Sequence, residues 1–192
     1  MQKRPELTIA LRLGIPVLCY MLLCLPFTAE GQVISNNQAA ITITSGAAIV
    51  TKDMTNTSGA FTARFQNNGT INLSGNFTNN ISSITSGDGT FRLGGNWTNP
   101  GTFNYGLSTV IFNGSAEQLI TKPSPETFYN LKIENSGASS GYTVKLDNNL
   151  VQVIGNLYII NGNINTTGYK LYLVNQAAAS LIYTSTTKSR IF

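Results

Sequence analysis

Residues 69–79 and 89–99 carry one pattern at an offset of twenty. Gly69-Thr70-Ile71-Asn72-Leu73 returns as Gly89-Thr90-Phe91-Arg92-Leu93, and Gly75-Asn76-Phe77-Thr78-Asn79 returns as Gly95-Asn96-Trp97-Thr98-Asn99. Leu131 and Ile133 stand forty residues before Leu171 and Leu173, and Gly155-Asn156-Leu157 lies sixty beyond Gly95. A unit this short has too little apolar surface to form a core alone, so it must bury that surface against its neighbours. About 20 residues is the length of one β-solenoid turn. Equivalent residues then stack directly, with apolar side chains inside and Asn or Thr forming ladders at the corners.

Short alternating runs support strands throughout. Ile41-Thr42-Ile43-Thr44, Thr70-Ile71-Asn72-Leu73, Asn130-Leu131-Lys132-Ile133 and Lys170-Leu171-Tyr172-Leu173 each place apolar residues on one parity and polar residues on the other. That is the pattern of a strand with one buried face. No stretch after Gln32 shows the 3.6-residue apolar period of a helix. Asn68-Gly69, Ser74-Gly75, Asn113-Gly114, Ser136-Gly137 and Asn161-Gly162 punctuate the runs as turn pairs that tolerate positive φ. The expected fold is all-β: a right-handed parallel β-solenoid (β-helix) with turns of about 20 residues, about eight of them, about 38 Å long. The alternative is a β-sandwich, because strands about ten residues apart also suit hairpins. Residues 115–140 break the spacing, and Pro123 and Pro125 mark a loop there. Residues 33–50 are expected to form an N-terminal cap, and no C-terminal cap is recognisable.

Residues 1–31 have the form of a secretory signal peptide. Lys3, Arg4 and Arg12 supply positive charge, residues 13–27 are mostly apolar, and Ala29-Glu30-Gly31 offers small residues for cleavage before Gln32. The apolar run is short of the roughly 20 residues a membrane helix needs. The expected mature chain, 32–192, is therefore secreted or displayed on the outer cell surface and does not span a membrane. Cys24 lacks the small preceding residue that a lipidated cysteine requires.

Composition removes several chemistries. Both cysteines, Cys19 and Cys24, lie in the leader, and histidine is absent. Residues 32–192 thus have no disulfide, thiolate or imidazole. Charged residues make up 10% of the chain, so amides and hydroxyls must keep it soluble. From Gln32 onward nine Lys/Arg and six Asp/Glu leave a net +3. These charges are scattered, with no basic cluster to follow a phosphate backbone, so nucleic acid is not an expected partner.

Five further segments share one style of repeat: Gly101-Thr102-Phe103-Asn104, Ser108-Thr109-Val110-Ile111-Phe112-Asn113-Gly114-Ser115, Thr127-Phe128-Tyr129-Asn130-Leu131-Lys132-Ile133-Glu134-Asn135, Gly155-Asn156-Leu157-Tyr158-Ile159 and Gly162-Asn163-Ile164-Asn165-Thr166-Thr167-Gly168. On these residues the mature region resembles the β-strand-repeat segments of large adhesin-like surface and secreted proteins of Bacteroidetes-type bacteria. The resemblance implies export, then display or release as part of a longer chain. Such chains often end in a separate sorting domain. None is present here, so 32–192 is expected to be a C-terminally truncated repeat domain.

No catalytic, cofactor-binding or metal-binding motif emerges. Gly87-Asp88-Gly89 lacks the third glycine of a dinucleotide fingerprint and is expected to be a turn. Asp53, Asp88 and Asp147 share no calcium-repeat spacing. The acids available for paired-carboxylate chemistry are Asp53, Asp88, Glu117, Glu126, Glu134 and Asp147. Lys132 and Glu134 share the polar parity of one strand, and Arg92 stacks on Asn72 as a solvent-face residue. Trp97 occupies the place of Phe77 and belongs in the core. Tyr158 and Tyr172 fall on polar parities and are candidates for an exposed aromatic strip, which would suit flat glycans. Eight Asn-x-Ser/Thr triplets, starting at Asn56, Asn68, Asn72, Asn76, Asn80, Asn96, Asn113 and Asn165, fit corner positions. The functional expectation is a non-enzymatic structural or adhesive protein that meets glycans or extracellular proteins. The alternatives are a glycan-binding module, a carbohydrate-active β-helix enzyme (lyase or glycosidase), and a fragment without independent function.

Overall fold

The computed structural model describes the backbone of residues 6–9, then residues 32–137 and 144–183. Most of the expected leader, Tyr142 and the last nine residues lie outside the described residues. β1 (Glu6–Ile9) precedes seven turns of three strands each. The first turn is β2 (Val33–Asn37), β3 (Ala40–Ile43) and β4 (Ala48–Thr51); the second is β5 (Asp53–Thr57), β6 (Arg64–Asn67) and β7 (Thr70–Leu73). The third is β8 (Phe77–Asn79), β9 (Ile84–Ser86) and β10 (Thr90–Leu93); the fourth is β11 (Trp97–Thr98), β12 (Thr102–Asn104) and β13 (Thr109–Phe112). The fifth is β14 (Gln118–Thr121), β15 (Glu126–Phe128) and β16 (Asn130–Glu134). The sixth is β17 (Val144–Asp147), β18 (Val151–Val153) and β19 (Leu157–Asn161), and the seventh is β20 (Ile164–Asn165), β21 (Leu171–Leu173) and β22 (Leu181–Tyr183).

Every strand pairs in parallel with its counterpart one turn away. The first strands of the turns form one seven-stranded sheet, and the third strands form another. The second face is divided: β1, β3, β6, β9 and β12 form one sheet, and β15, β18 and β21 form a second. The architecture is a parallel β-solenoid, and the sandwich alternative is excluded by the parallel register. Thr70–Leu73 lies directly on Thr90–Leu93, and Phe77 on Trp97, at the twenty-residue offset read from the sequence.

That offset is local. Along the first sheet the turn is 20 residues from Ile34 to Met54, 23 from Met54 to Phe77 and 26 from Ile120 to Leu146. Corner insertions absorb the difference, so the stack has seven turns where a constant repeat implies eight. Six steps of about 4.8 Å span about 29 Å. Residues 33–50 form the first turn, paired to the second in full register, and not a separate cap.

The glycines of the turn pairs act differently from the expectation. Among those five, only Gly162 has positive φ, at 95°. Gly69 is required because turns approach closely there: a Cβ would collide with the Ala47 carbonyl. Gly87 meets both demands, with φ 121° and the Asn67 backbone against its α-carbon.

The core is a set of stacked columns. Met54, Phe77, Trp97, Ile120 and Leu146 follow one another on the first sheet; Ile71, Phe91, Val110, Leu131 and Leu157 do so on the third. Trp97 is fully buried and stacks on Phe77 with centroids 4.2 Å apart at 22°. Phe91, Phe103 and Phe128 meet its edges at 4.9 to 5.8 Å. Such pairs add roughly 0.5–1.5 kcal/mol each beyond area burial.

One inward column is polar. At the end of the first strand in successive turns stand Asn36, Asn56, Asn79 and Asn99, all buried. Each amide nitrogen donates to the next side-chain oxygen: Asn36 to Asn56 at 2.7 Å, Asn56 to Asn79 at 2.9 Å, and Asn79 to Asn99 at 2.8 Å. The second hydrogen is placed too, Asn56 donating to the Ile84 carbonyl and Asn79 to the Thr102 carbonyl. The ladder therefore satisfies buried amides while fixing each corner to the turn above it. We predict that Asn79→Ala, which strips partners from Asn56, Asn99 and Thr102, costs about 3 kcal/mol in urea unfolding. Asn37→Ala, at an exposed position, should cost less than about 0.5 kcal/mol.

Candidate functional site

Apolar side chains pack the interior, and the outer faces present the groups that a ligand would meet. The first sheet turns outward a column of Ser35, Thr55, Thr78, Thr98, Thr121 and Asp147 in unbroken register. Five of these six carry hydroxyls, and threonine is stiff at χ1, so the column is a fixed row of hydroxyl and methyl groups about 4.8 Å apart. Thr121 donates to the Asp147 carboxylate at 3.3 Å. The third sheet carries a shorter row, Thr70, Thr90 and Thr109, that ends on Asn130.

Beside that row the third sheet presents Asn72, Arg92, Ile111, Lys132 and Tyr158 in consecutive turns. Arg92 reaches over β13 to Glu134 at 3.0 Å, and Lys132 meets the other oxygen of Glu134 at 2.5 Å. Ile111, outward by register, lies beneath this bridge and is buried. Burial alone would raise the Glu134 pKa, but the hydrogen bond and charge of Lys132, and then the charge and hydrogen bond of Arg92, outweigh it. They hold the carboxyl below its ordinary value of 4.5. Glu134 is thus a stable anion with both oxygens occupied.

Three further acids, Asp53, Asp88 and Asp147, each accept a hydrogen bond of their own. Asp53 accepts the Asn76 backbone N–H at 2.6 Å, and Asn76 and Asn96 repeat that contact with Asn96 and Leu119 in the next turns. Asp88 accepts the Leu107 N–H at 2.8 Å from the turn between β9 and β10. Glu117 is exposed. Among the described residues no group of three or more His, Cys, Asp or Glu gathers as a metal site. No helix among them is long and apolar enough to cross a membrane.

Tyr158 and Tyr172 do not form one strip. Tyr158 lies on the third sheet between Lys132 and Ile182, and its hydroxyl accepts the Asn156 amide at 3.0 Å. Tyr172 lies on the second face over Gln152 and is 43% exposed. Each ring is available to a ligand only on its own face.

Glu126, one of the candidate acids of the sequence, has a structural role that the pattern of runs does not reveal. It is buried on the second face, and its Oε2 accepts Trp97 Nε1 at 2.7 Å and Asn99 Nδ2 at 2.7 Å. Its Oε1 accepts Lys122 Nζ at 3.1 Å and the Thr127 N–H at 3.0 Å. The asparagine ladder therefore ends on a carboxylate. A signal existed: asparagines at 36, 56, 79 and 99 imply a fifth near 122, where the sequence has Lys122 with Glu126 four residues on.

No known protein family, curated protein or solved structure matches this chain.

The lowered Glu134 pKa has a pH consequence. A depressed folded-state value contributes stability above the ordinary carboxyl range, and this is lost as pH falls through the folded value. Thermal melts of the wild type should weaken through the acid range below 4.5. Glu134→Gln should lower Tm at pH 7 and flatten that segment; an unchanged acid slope would contradict the assignment.

Proposed function

We propose that this chain is a non-enzymatic, exported structural or adhesive repeat protein that displays the outer faces of a stacked-strand rod to glycans or extracellular proteins. The observation that carries the reading is the outer surface itself: a long in-register row of hydroxyl side chains on the first sheet, a shorter Thr row on the third, and few charges. A stack of identical strands presents the same group at a fixed repeat, which suits many weak contacts with an extended ligand. The export signal read in residues 1–31 and the resemblance to adhesin-like repeats of Bacteroidetes-type bacteria point the same way. Tyr158 and Tyr172 add single apolar platforms on two faces, where sugar rings can stack.

One observation favours the second reading, a carbohydrate-active enzyme: Arg92, Lys132 and Glu134 converge on the third sheet. Glycosidases need two carboxylates about 5 to 9.5 Å apart, one of them protonated. Here two cations hold one carboxylate ionised, which suits a brace better than an acid catalyst.

Both readings are tested with purified full chain on immobilised polysaccharides. We expect retained binding to at least one surface glycan or matrix protein, weakened several-fold by Tyr158→Ala or Tyr172→Ala, with no new reducing ends or unsaturated products. Product release that disappears in Glu134→Gln would replace the adhesive reading with the enzymatic one.

A further inference from the structure

The divided second face leaves a seam within the solenoid. β12 ends one sheet and β15 begins the next, with no strand pairing between them, although β11 pairs with β14 and β13 with β16 on either side. A solenoid is held turn to turn by nearest-neighbour contacts, so a missing ladder on one of three faces weakens the backbone junction here. Side chains replace the missing ladder. Trp97 and Asn99 from the fourth turn, and Lys122 and the Thr127 N–H from the fifth, all donate to the buried Glu126 carboxylate. Four donors fill two oxygens, and a carboxylate is the side chain that accepts them all without offering a hydrogen of its own. The amide ladder runs donor-first toward the seam, and the Glu126 carboxylate accepts its last donor, Asn99. Phe128 adds the apolar part of the joint against Trp97 and Phe103.

We propose that Glu126 is a latch: a positioning residue that couples the first four turns to the last three, so that the solenoid unfolds as one unit and does not part at the seam. Trp97 is the single tryptophan of the sequence and touches the latch, so its fluorescence reports the seam while far-UV circular dichroism reports all strands. In urea titrations of the full chain the two wild-type transitions should coincide. In Glu126→Ala the Trp97 transition should move about 1 M urea below the circular dichroism transition. Lys122→Met, which removes one donor and keeps the carboxylate, should separate them in the same direction by less. Glu117→Ala, an exposed acid outside the latch, should leave them coincident. Coincident curves in Glu126→Ala, however destabilised, would overturn the proposal, as would separated curves in the wild type. If Glu126→Ala does not fold, Lys122→Met decides by the same criterion: separation supports the latch, and coincidence overturns it.

Discussion

In a parallel in-register stack equivalent positions face one another turn after turn, so a column of one inward polar residue must both donate and accept. Asparagine meets that demand, because its amide donates on one side and accepts on the other. The run from Asn36 to Asn99 exploits this in every one of the first four turns. It also has a direction: every side-chain nitrogen points to the next turn. Aligned dipoles strengthen one another, and the last donor needs an acceptor. Glu126 supplies it and brings Lys122 inside as its counter-ion. A buried ion pair of this kind is costly to break from one side, because it leaves an uncompensated charge. The corner geometry, the packing of Trp97 and the joining of the two second-face sheets all depend on this one chain of contacts.

The outer faces follow from the same register. Stacking that repeats Asn inside repeats Thr outside, which is why the first sheet carries an almost uninterrupted hydroxyl row. Like charges would also stack if they recurred. Opposite charges meet instead: Glu126 pairs with Lys122, and Glu134 sits between Arg92 and Lys132. A surface built this way is regular and nearly neutral, consistent with the proposed role in display and contact.

Much of the architecture was legible in the sequence. The 69–79 and 89–99 blocks contain the stacking register, and the parity of each run separates core from surface, down to the placement of Trp97 over Phe77. Turn number was less legible, because corner insertions before Phe77, Ile120 and Leu146 stretch the repeat without disturbing the strands. The glycines were assigned to turns on composition, yet several serve the close approach of neighbouring turns, a contact that exists only once the chain is stacked. Tyr158 and Tyr172 share a parity but not a face, since parity says nothing about which side of a three-sided coil a strand occupies. The role of Glu126 was harder to read for a related reason, the asparagine spacing being its one trace in the sequence. Its partners lie 27 and 29 residues away at Asn99 and Trp97, and only the coil brings them together.

Throughout the stack, equivalent residues rise one strand spacing per turn. Pulsed electron–electron distance measurements on spin-labelled cysteines test this rise most directly, with Cys19 and Cys24 changed to serine and labels on the outward column of the first sheet. Ser35→Cys with Thr121→Cys spans four turns and should give about 19 Å; Ser35→Cys with Asp147→Cys spans five and should give about 24 Å. A steady increase of about one strand spacing per turn is the predicted result. Distances that fail to grow with turn number would contradict the stacked register and the amide ladder with it.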